Sequence, residues 1–147
     1  MEIAVLALGC FWGPEIKFSK IEGVIKTEVG YCGGNSPTTT YKEVCTGRTN
    51  HAEVVKIDFD EKIITYEKIL KIFFQIHDPT TLNSQGPDFG TQYRSEIFYL
   101  NDNQKVVAER VLRDVNDRMS GKVVTKISLL KNYCPAEEYH QKYLEKR

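Results

Sequence analysis

A cysteine stands where an apolar segment gives way to a predicted helix. In ALGCFWGPE (residues 7–15), Cys10 follows a glycine at the end of the apolar run. Unpaired backbone N–H groups and the helix dipole at a helix start favour an anion, which would lower the pKa of the thiol below about 8.5. From position alone, Cys10 is a nucleophile or a small buried hydrophobic residue. Phe11 and Trp12 are likewise either core residues or the walls of an apolar pocket.

A carboxylate lies on the apolar face of a predicted strand. In HAEVVKIDF (residues 51–59) apolar and charged residues alternate, and this alternation turns Glu53 toward the apolar side. Desolvation there would raise its pKa above about 4.3 and make Glu53 a general acid near neutral pH. The alternative is a solvated side chain paired with Arg48 or Lys56. His51 shares the same phase and is either a packed hydrogen-bonding residue or a base.

Two long segments, residues 30–50 and 77–94, are rich in Gly, Pro, Thr and Asn and show no periodicity. Loops of this length are uncommon in compact domains and are usually functional or disordered. They contain side chains that can form hydrogen bonds at a site built from loops: Tyr31, Tyr41, Asp88 and Tyr93. Each of these alone is a loop tyrosine or a turn aspartate.

The cysteines contain no CxxC pair, and free thiols are expected in a reducing compartment. Cys134 precedes Pro135 and could meet Cys10 if the terminal segment folds over the site. Cys32 is the second candidate partner, and Cys45 is expected to be a bystander.

A metal site is not predicted. His77 with Asp78 and His140 with Glu137 are isolated pairs that lack the spacing of a zinc site, so these histidines are expected to be capping and surface residues.

Composition excludes several classes of function. The chain has 147 residues, enough for a single domain (1–147) with its own core, and 20 basic residues balance 20 acidic ones. The chain therefore carries no net positive charge that would attract nucleic acid or an anionic membrane. The longest apolar run, residues 3–8, is too short to span a membrane, and no basic segment precedes it as in a signal peptide. We expect a cytoplasmic protein, and a monomer.

The predicted elements do not alternate strictly between strands and helices, so an α+β fold, a two-layer sandwich, fits better than a doubly wound sheet. Strands are predicted at residues 2–8, 24–31, 51–59, 95–100 and 123–130, and helices at 11–20, 65–76, 104–119 and 136–146.

Taken together, these motifs resemble the peptide methionine sulfoxide reductase A family, which reduces the S-epimer of methionine sulfoxide. The resemblance covers nearly the whole chain through GCFWG, GYCGG, YKEVCTGRTNHAE, HDPTT, QGPDFGTQYRS and AEEYHQKYL. It implies a two-layer α/β sandwich with a ferredoxin-like core. Asn50 stands where glycine usually precedes HAE.

The resemblance also implies residue roles. Cys10 would be the nucleophile, Phe11 and Trp12 would hold the S-methyl group, and Glu53 would protonate the sulfoxide oxygen. Tyr41 and Tyr93 would assist Glu53, Asp88 matches a loop aspartate of the substrate site, and His51 helps to shape that site.

The resemblance further implies a recycling step. A cysteine sulfenic acid would form at Cys10, condense with a second thiol and be restored by an external dithiol such as thioredoxin, without metal or flavin. Longer members carry recycling cysteines in a glycine-rich tail that this sequence lacks. The expected resolving thiol is therefore Cys134, with Cys32 as the alternative.

Two other classes remain open. Cys10 with His51 or His140 could form a cysteine hydrolase, although that scheme gives Glu53 no role. A thiol-based redox sensor without turnover would be oxidised by peroxide rather than by methionine sulfoxide.

Overall fold

The computed structural model describes residues 1–146, which form one six-stranded sheet with helices packed on one face. The strands are β1 (Glu2–Leu8), β2 (Val24–Cys32), β3 (Ala52–Phe59), β4 (Ser84–Gln85), β5 (Asp88–Phe89), β6 (Ser95–Tyr99), β7 (Lys126–Leu129) and β8 (Cys134–Pro135). The helices are α1 (Trp12–Ser19), α2 (Tyr41–Val44), α3 (Tyr66–Gln75) and α4 (Asp102–Arg118), with 3₁₀ turns at Thr91–Tyr93 and Glu138–His140.

The order of strands across the sheet is β7-β6-β1-β3-β2-β8, and β4 and β5 pair separately as a hairpin. Neighbouring strands are antiparallel except for β6 and β7, which are parallel. Leu6 pairs with Val55 across β1 and β3, and Tyr31 pairs with Glu53 across β2 and β3. This register sets Glu53 beside the end of β1, which leads directly into Cys10.

The main core lies between the sheet and the helices. Helix α3 begins at Thr65, whose hydroxyl accepts a hydrogen bond from the Lys68 N–H at 3.1 Å. It places Ile69, Leu70 and Phe73 in the core with no solvent exposure. The predicted α+β two-layer sandwich is confirmed.

The opposite face of the sheet is covered by a crossing segment, residues 130–133, which joins β7 at one edge to β8 at the other. Its Leu130 and Tyr133 pack on a small buried cluster contributed by β1, β2, β3 and β6. The carbonyl of Lys131 accepts a hydrogen bond from the Gly33 N–H at 2.8 Å. Strand β1 is therefore buried on both faces, as its unbroken apolar run predicts.

The predicted terminal helix at residues 136–146 is wrong. This segment, which we name the C-terminal strap, contains one 3₁₀ turn followed by further turns. The Gln141 side chain bonds to the N–H and the C=O of Val29, both at 2.9 Å, so it satisfies backbone groups of β2. Lys142 has φ 54°, in the left-handed region, which ends any helix here. These tertiary contacts outweigh the helical pattern of the sequence.

Two further differences are smaller. The predicted strand at 123–130 is confined to β7, and the predicted loop at 30–50 contains the short helix α2. Thr40 caps α2, because its hydroxyl accepts a hydrogen bond from the Glu43 N–H.

Candidate active site

Cys10 lies half-buried between β1 and α1. Gly9 has φ 95°, which lets the chain turn sharply before the cysteine. Burial raises the pKa of the Cys10 thiol to about 11, although a hydrogen bond from the Trp12 N–H lowers it and the charges of Glu53 and Asp88 raise it. The expected lowering of this pKa is therefore wrong for the ligand-free site, because desolvation outweighs the N–H group at the helix start.

Glu53 is 1% exposed, so its side chain is buried rather than solvated. Its Oε1 accepts a hydrogen bond from the Phe11 N–H at 3.2 Å, which ties it to the residue after Cys10. Its Oε2 is buried and has no hydrogen-bond partner. The pKa of Glu53 is raised to about 8, mainly by burial. The hydrogen bond from the Phe11 N–H opposes this rise, and the charge of Asp88 adds to it. Glu53 is therefore protonated at neutral pH, with an oxygen free to donate a proton.

Two tyrosines from the long loops lie near this carboxyl group. Tyr41 begins α2, and Tyr93 ends the 3₁₀ turn before β6. Burial raises the pKa of both hydroxyls, to about 12 for Tyr93, and the charge of Glu53 raises both further. Asp88 in β5 acts on the pKa values of Cys10, Glu53 and Tyr93. Glu53, Asp88 and Tyr93 thus lie within electrostatic reach of the Cys10 thiol, and Tyr41 lies within reach of Glu53 and Tyr93.

Phe11 and Trp12 form an aromatic wall together with His140. The ring of His140 lies 5.3 Å from that of Phe11 and 5.7 Å from that of Trp12. The indole N–H of Trp12 donates a hydrogen bond to His140 Nδ1 at 3.0 Å, and Tyr143 stacks on the indole at 3.8 Å. His140 is 1% exposed, so its expected place on the surface is wrong. It also packs on the Tyr41 ring, with the ring centres 4.5 Å apart.

Glu137, which sequence reasoning also missed, links the strap to this wall. Its Oε1 accepts from the Tyr31 hydroxyl and its Oε2 from the Tyr41 N–H, each at 2.8 Å. Burial raises the pKa of Glu137, but the donors of Tyr41 and Tyr31 hold it below its ordinary value. Tyr31 itself is fully buried in β2 rather than exposed in a loop.

The far end of the strap is fastened to α1. Glu15, 2% exposed, accepts hydrogen bonds from the Thr27 hydroxyl at 3.0 Å and from the Lys142 N–H at 2.7 Å. The only sequence signal for these contacts was a glutamate in the first turn of α1, which gives no indication of its partners.

His51 holds a loop rather than the thiol. Its ring is 1% exposed, its Nε2 lies 2.9 Å from the carbonyl oxygen of Ser36, and a methyl group at Gly34 would collide with it. Within the described residues, neither His51 nor His140 is hydrogen-bonded to Cys10, so the geometry gives no support to a cysteine hydrolase. The third histidine, His77, bonds to the Ser95 hydroxyl at 2.7 Å, at the end of α3.

The other cysteines are free thiols in three different settings. Cys32 is fully buried on the second face of the sheet, where its Sγ donates to the Lys131 carbonyl at 3.2 Å. Cys134 is in β8 opposite Tyr31, at an edge of the sheet. Cys45 is exposed at the end of α2.

Residues 1–146 contain no cluster of three or more His, Cys, Asp or Glu side chains suited to a metal ion. Over the same range, no helix has the length and apolar character needed to cross a membrane.

The arrangement suits one kind of chemistry. A thiol can donate electrons to an acceptor, and a neutral carboxyl group beside it can protonate the acceptor's oxygen. These features fit the class of oxidoreductases, here built on an α/β sandwich.

Comparisons with known proteins identify the family. The family model for peptide methionine sulfoxide reductase matches residues 2–147. The peptide methionine sulfoxide reductase MsrA of Pelagibacter ubique is 82% identical over 147 residues, which is the full length of both chains. The chain belongs to the peptide methionine sulfoxide reductase family and is an oxidoreductase that reduces methionine sulfoxide.

Solved structures agree with the fold. Reduced Mxr1 from Saccharomyces cerevisiae matches with a TM-score of 0.94 and 41% identity, covering 99% of this chain and 85% of that one. Mxr1 in complex with Trx2 matches with a TM-score of 0.69 and 26% identity, covering 97% of this chain and 84% of that one.

Proposed function

We propose that this enzyme reduces methionine S-sulfoxide, free or in proteins, through a sulfenic acid at Cys10, with Glu53 as the proton donor. The observation that carries the proposal is the state of Glu53: buried, protonated at neutral pH, and with an unpartnered oxygen beside the nucleophile. Its physiological role would be the repair of oxidised proteins.

The proton and electron balance fits these two residues. Cys10 loses its thiol proton and attacks the sulfoxide sulfur, while Glu53 gives its proton to the oxygen. The OH group then moves from the substrate sulfur to the Cys10 sulfur, so that the substrate's S–O bond and the newly formed S–S bond both break, methionine leaves, and Cys10 becomes a sulfenic acid. The proton lost by the thiol replaces the one that Glu53 gave, so the step consumes no net proton. Cys10 is oxidised by two electrons and the substrate is reduced by two.

The surrounding side chains suit the substrate's two ends. Phe11 and Trp12 offer an apolar surface to the S-methyl group, and Tyr41 and Tyr93 keep their hydroxyl protons at neutral pH, so they can donate to the developing oxyanion. Asp88 would contact the substrate from the β4–β5 hairpin. For His51 the structure supports an indirect role, shaping the site through the Ser36 loop.

Recycling would use an external dithiol protein of the thioredoxin type. The complex of the related Mxr1 with Trx2 supports this partner. The thiol-exchange step needs a reducing compartment, which agrees with the cytoplasmic location expected from the sequence. The proposed cycle uses neither metal nor flavin. The enzyme would act as a monomer, as the sequence leads us to expect.

A single-turnover assay tests the proposal. Reduced protein is mixed with a peptide containing methionine S-sulfoxide, without reductant, and the reduced peptide is quantified by mass spectrometry. We expect about one equivalent of methionine peptide per protein, none with Cys10→Ser, and none with the R-epimer. Release from the R-epimer would overturn the epimer assignment. Oxidation of Cys10 by peroxide without methionine release would overturn the proposed role of Cys10 as the nucleophile that reduces the sulfoxide.

A further inference from the structure

We propose that Glu15 is a positioning residue of the active site, which fastens the C-terminal strap to α1 and thereby fixes the indole of Trp12. This inference rests on the proposed function, because it concerns the apolar surface that Trp12 would offer to the S-methyl group. None of the proposed chemical steps involves Glu15 or its partners Thr27 and Lys142.

Trp12 depends on the strap for its position. The indole stacks on the ring of Tyr143, with the ring centres 3.8 Å apart and the planes inclined by 12°. Its N–H donates a hydrogen bond to His140 Nδ1 at 3.0 Å. Trp12 is only partly buried at the margin of the main core, so packing against the core alone does not enclose it. A movement of residues 140–143 would therefore move the surfaces that hold the indole.

Glu15 holds the backbone next to Tyr143. Its Oε1 accepts a hydrogen bond from the N–H of Lys142 at 2.7 Å. Lys142 has φ 54°, a left-handed conformation that is costly for a residue with a side chain and persists only where surrounding contacts hold it. Glu15 and Trp12 are three residues apart on α1, so the acceptor and the indole project from the same side of the helix. The hydrogen bond thus fixes the chain at the point where it presents Tyr143 to Trp12.

Both oxygens of the Glu15 carboxylate have partners on the strap or on β2. Its Oε2 accepts from the Thr27 hydroxyl at 3.0 Å and lies 3.4 Å from the Lys142 ammonium group. The same ammonium group donates to the Thr27 hydroxyl at 2.7 Å and to the Thr27 carbonyl at 3.2 Å. Glu15 is 2% exposed, so these partners replace the water that a carboxylate otherwise needs. Removal of one partner from such a buried group is costly, which makes this end of the strap sensitive to a small change.

The expected consequence is weaker substrate binding with unchanged chemistry. A surface that holds the S-methyl group binds the substrate and the transition state alike, so its loss should raise KM and leave kcat nearly constant. Cys10 and Glu53 are held by β1 and β3 rather than by the strap. Methionine release in a single turnover should therefore persist when the strap is loosened.

The first variant is Glu15→Gln, which keeps the size of the side chain. An amide has one oxygen, so it can accept from the Lys142 N–H, but its NH₂ group then replaces Oε2 and faces the Lys142 ammonium group. Adding Lys142→Met removes that ammonium group and lets the amide donate to the Thr27 hydroxyl. The double variant should therefore restore the strap. Tyr143→Leu removes the stack on Trp12 without touching the bonds of Glu15, and it tests the same route should Glu15→Gln fail to fold.

The matched control is Lys146→Met, the same substitution at an exposed lysine of the strap whose ion pair with Glu138 is 3.9 Å long. For each protein, KM and kcat are measured with the S-sulfoxide peptide and dithiothreitol as reductant. Trp12 is the single tryptophan of the sequence, so intrinsic fluorescence reports its surroundings directly. The unfolding temperature and the rate of Cys10 alkylation are measured on the same samples.

Glu15→Gln should raise KM about tenfold, the equivalent of one lost hydrogen bond, with kcat within about twofold of wild type. The Trp12 emission should shift to longer wavelength, because the indole loses its stack and contacts more water. Tyr143→Leu should change KM and emission in the same direction. The double variant should recover most of both changes, and Lys146→Met should behave as wild type.

A lower unfolding temperature in Glu15→Gln with unchanged KM and unchanged emission would overturn the inference, because Glu15 would then stabilise the fold without positioning Trp12. Unchanged KM and emission in Tyr143→Leu, no recovery in the double variant, or an equal effect in Lys146→Met would overturn it as well. Absence of methionine release from the wild type would instead overturn the proposed function.

Discussion

Cys10 and Glu53 are positioned by neighbouring strands of the sheet, whereas Trp12 and Tyr41 are positioned by side chains of the C-terminal strap. The first pair depends on the register of β1 and β3 and on a single N–H from Phe11. The second pair depends on Glu137 and His140, which are about a hundred residues away in sequence.

We call Cys10 and Glu53 the strand half of the site, and Trp12 and Tyr41 with their partners in the C-terminal strap the strap half. The strand half contains the groups proposed to react, whereas the strap half positions the side chains around them. The backbone of a residue in a buried strand can move little unless the protein unfolds. Substitutions of similar shape there should therefore remove a chemical group and leave the geometry of the site intact. The strap is held by a few polar contacts, so loss of one contact should loosen the aromatic wall and also lower stability.

The largest effect is expected from Glu53→Gln, which keeps the shape of the strand half and removes its proton donor. General acid catalysis contributes about 10² to 10⁴ in rate, so kcat/KM at pH 7 should fall by that factor. The rate of Cys10 alkylation and the unfolding temperature serve as controls for an intact thiol and fold. A loss of less than about threefold would show that Glu53 is not the acid.

The pH profile sharpens this result. Because the pKa of Glu53 is raised to about 8, the carboxyl group is protonated below that pH and ionised above it. Wild-type kcat/KM should therefore fall as pH rises through about 8. Glutamine does not titrate, so the residual activity of Glu53→Gln should show no such fall.

An intermediate effect is expected from Glu137→Ala in the strap half. The change leaves the Tyr31 hydroxyl and the Tyr41 N–H without a partner, at a cost of about 1–3 kcal/mol in stability. We expect kcat/KM to fall about tenfold, because Tyr41 loses its fixed position. Activity assays and urea unfolding measure the two effects.

Two matched variants show whether this effect depends on the hydrogen bonds. Glu137→Gln should recover most of the activity, since an amide can accept from the Tyr41 N–H and donate to the Tyr31 hydroxyl. Glu138→Ala, at an exposed neighbour whose Lys146 ion pair is 3.9 Å long, should behave as wild type. Equal losses in Glu137→Ala and Glu138→Ala would contradict the proposed positioning.

The sequence could predict the strand half because its signals are local. A period of two residues is enough to place Glu53 inward, and an apolar run ending in Gly9 and Cys10 is enough to end β1 near it. The helix α3 was likewise predictable from its stripe of apolar residues and its Thr65 cap.

The strap half could not be predicted, because it depends on contacts between distant residues. The pattern of AEEYHQKYLEK fits a helix, yet Glu137, His140 and Gln141 each bind a group elsewhere in the chain. The prediction of a lowered pKa for Cys10 was wrong for a related reason. The place of Cys10 at a helix start is visible in the sequence, but the desolvation that raises its pKa depends on the whole fold.

The smallest effect is expected from Asn50→Gly, just before β3. Asn50 has φ 58°, a left-handed conformation that asparagine tolerates and glycine adopts without strain. Relief of strain in the folded state is opposed by the greater freedom of glycine in the unfolded chain, so unfolding free energy should change by less than about 1 kcal/mol. Asn50→Val, which places a β-branched side chain at the same φ, should cost about 1–3 kcal/mol. In both variants kcat should stay near wild type, because the β1–β3 register, rather than the turn before it, holds Glu53 beside Cys10. A tenfold loss of kcat in Asn50→Gly, measured at saturating substrate, would show that the turn and not the strand ladder sets the position of the acid.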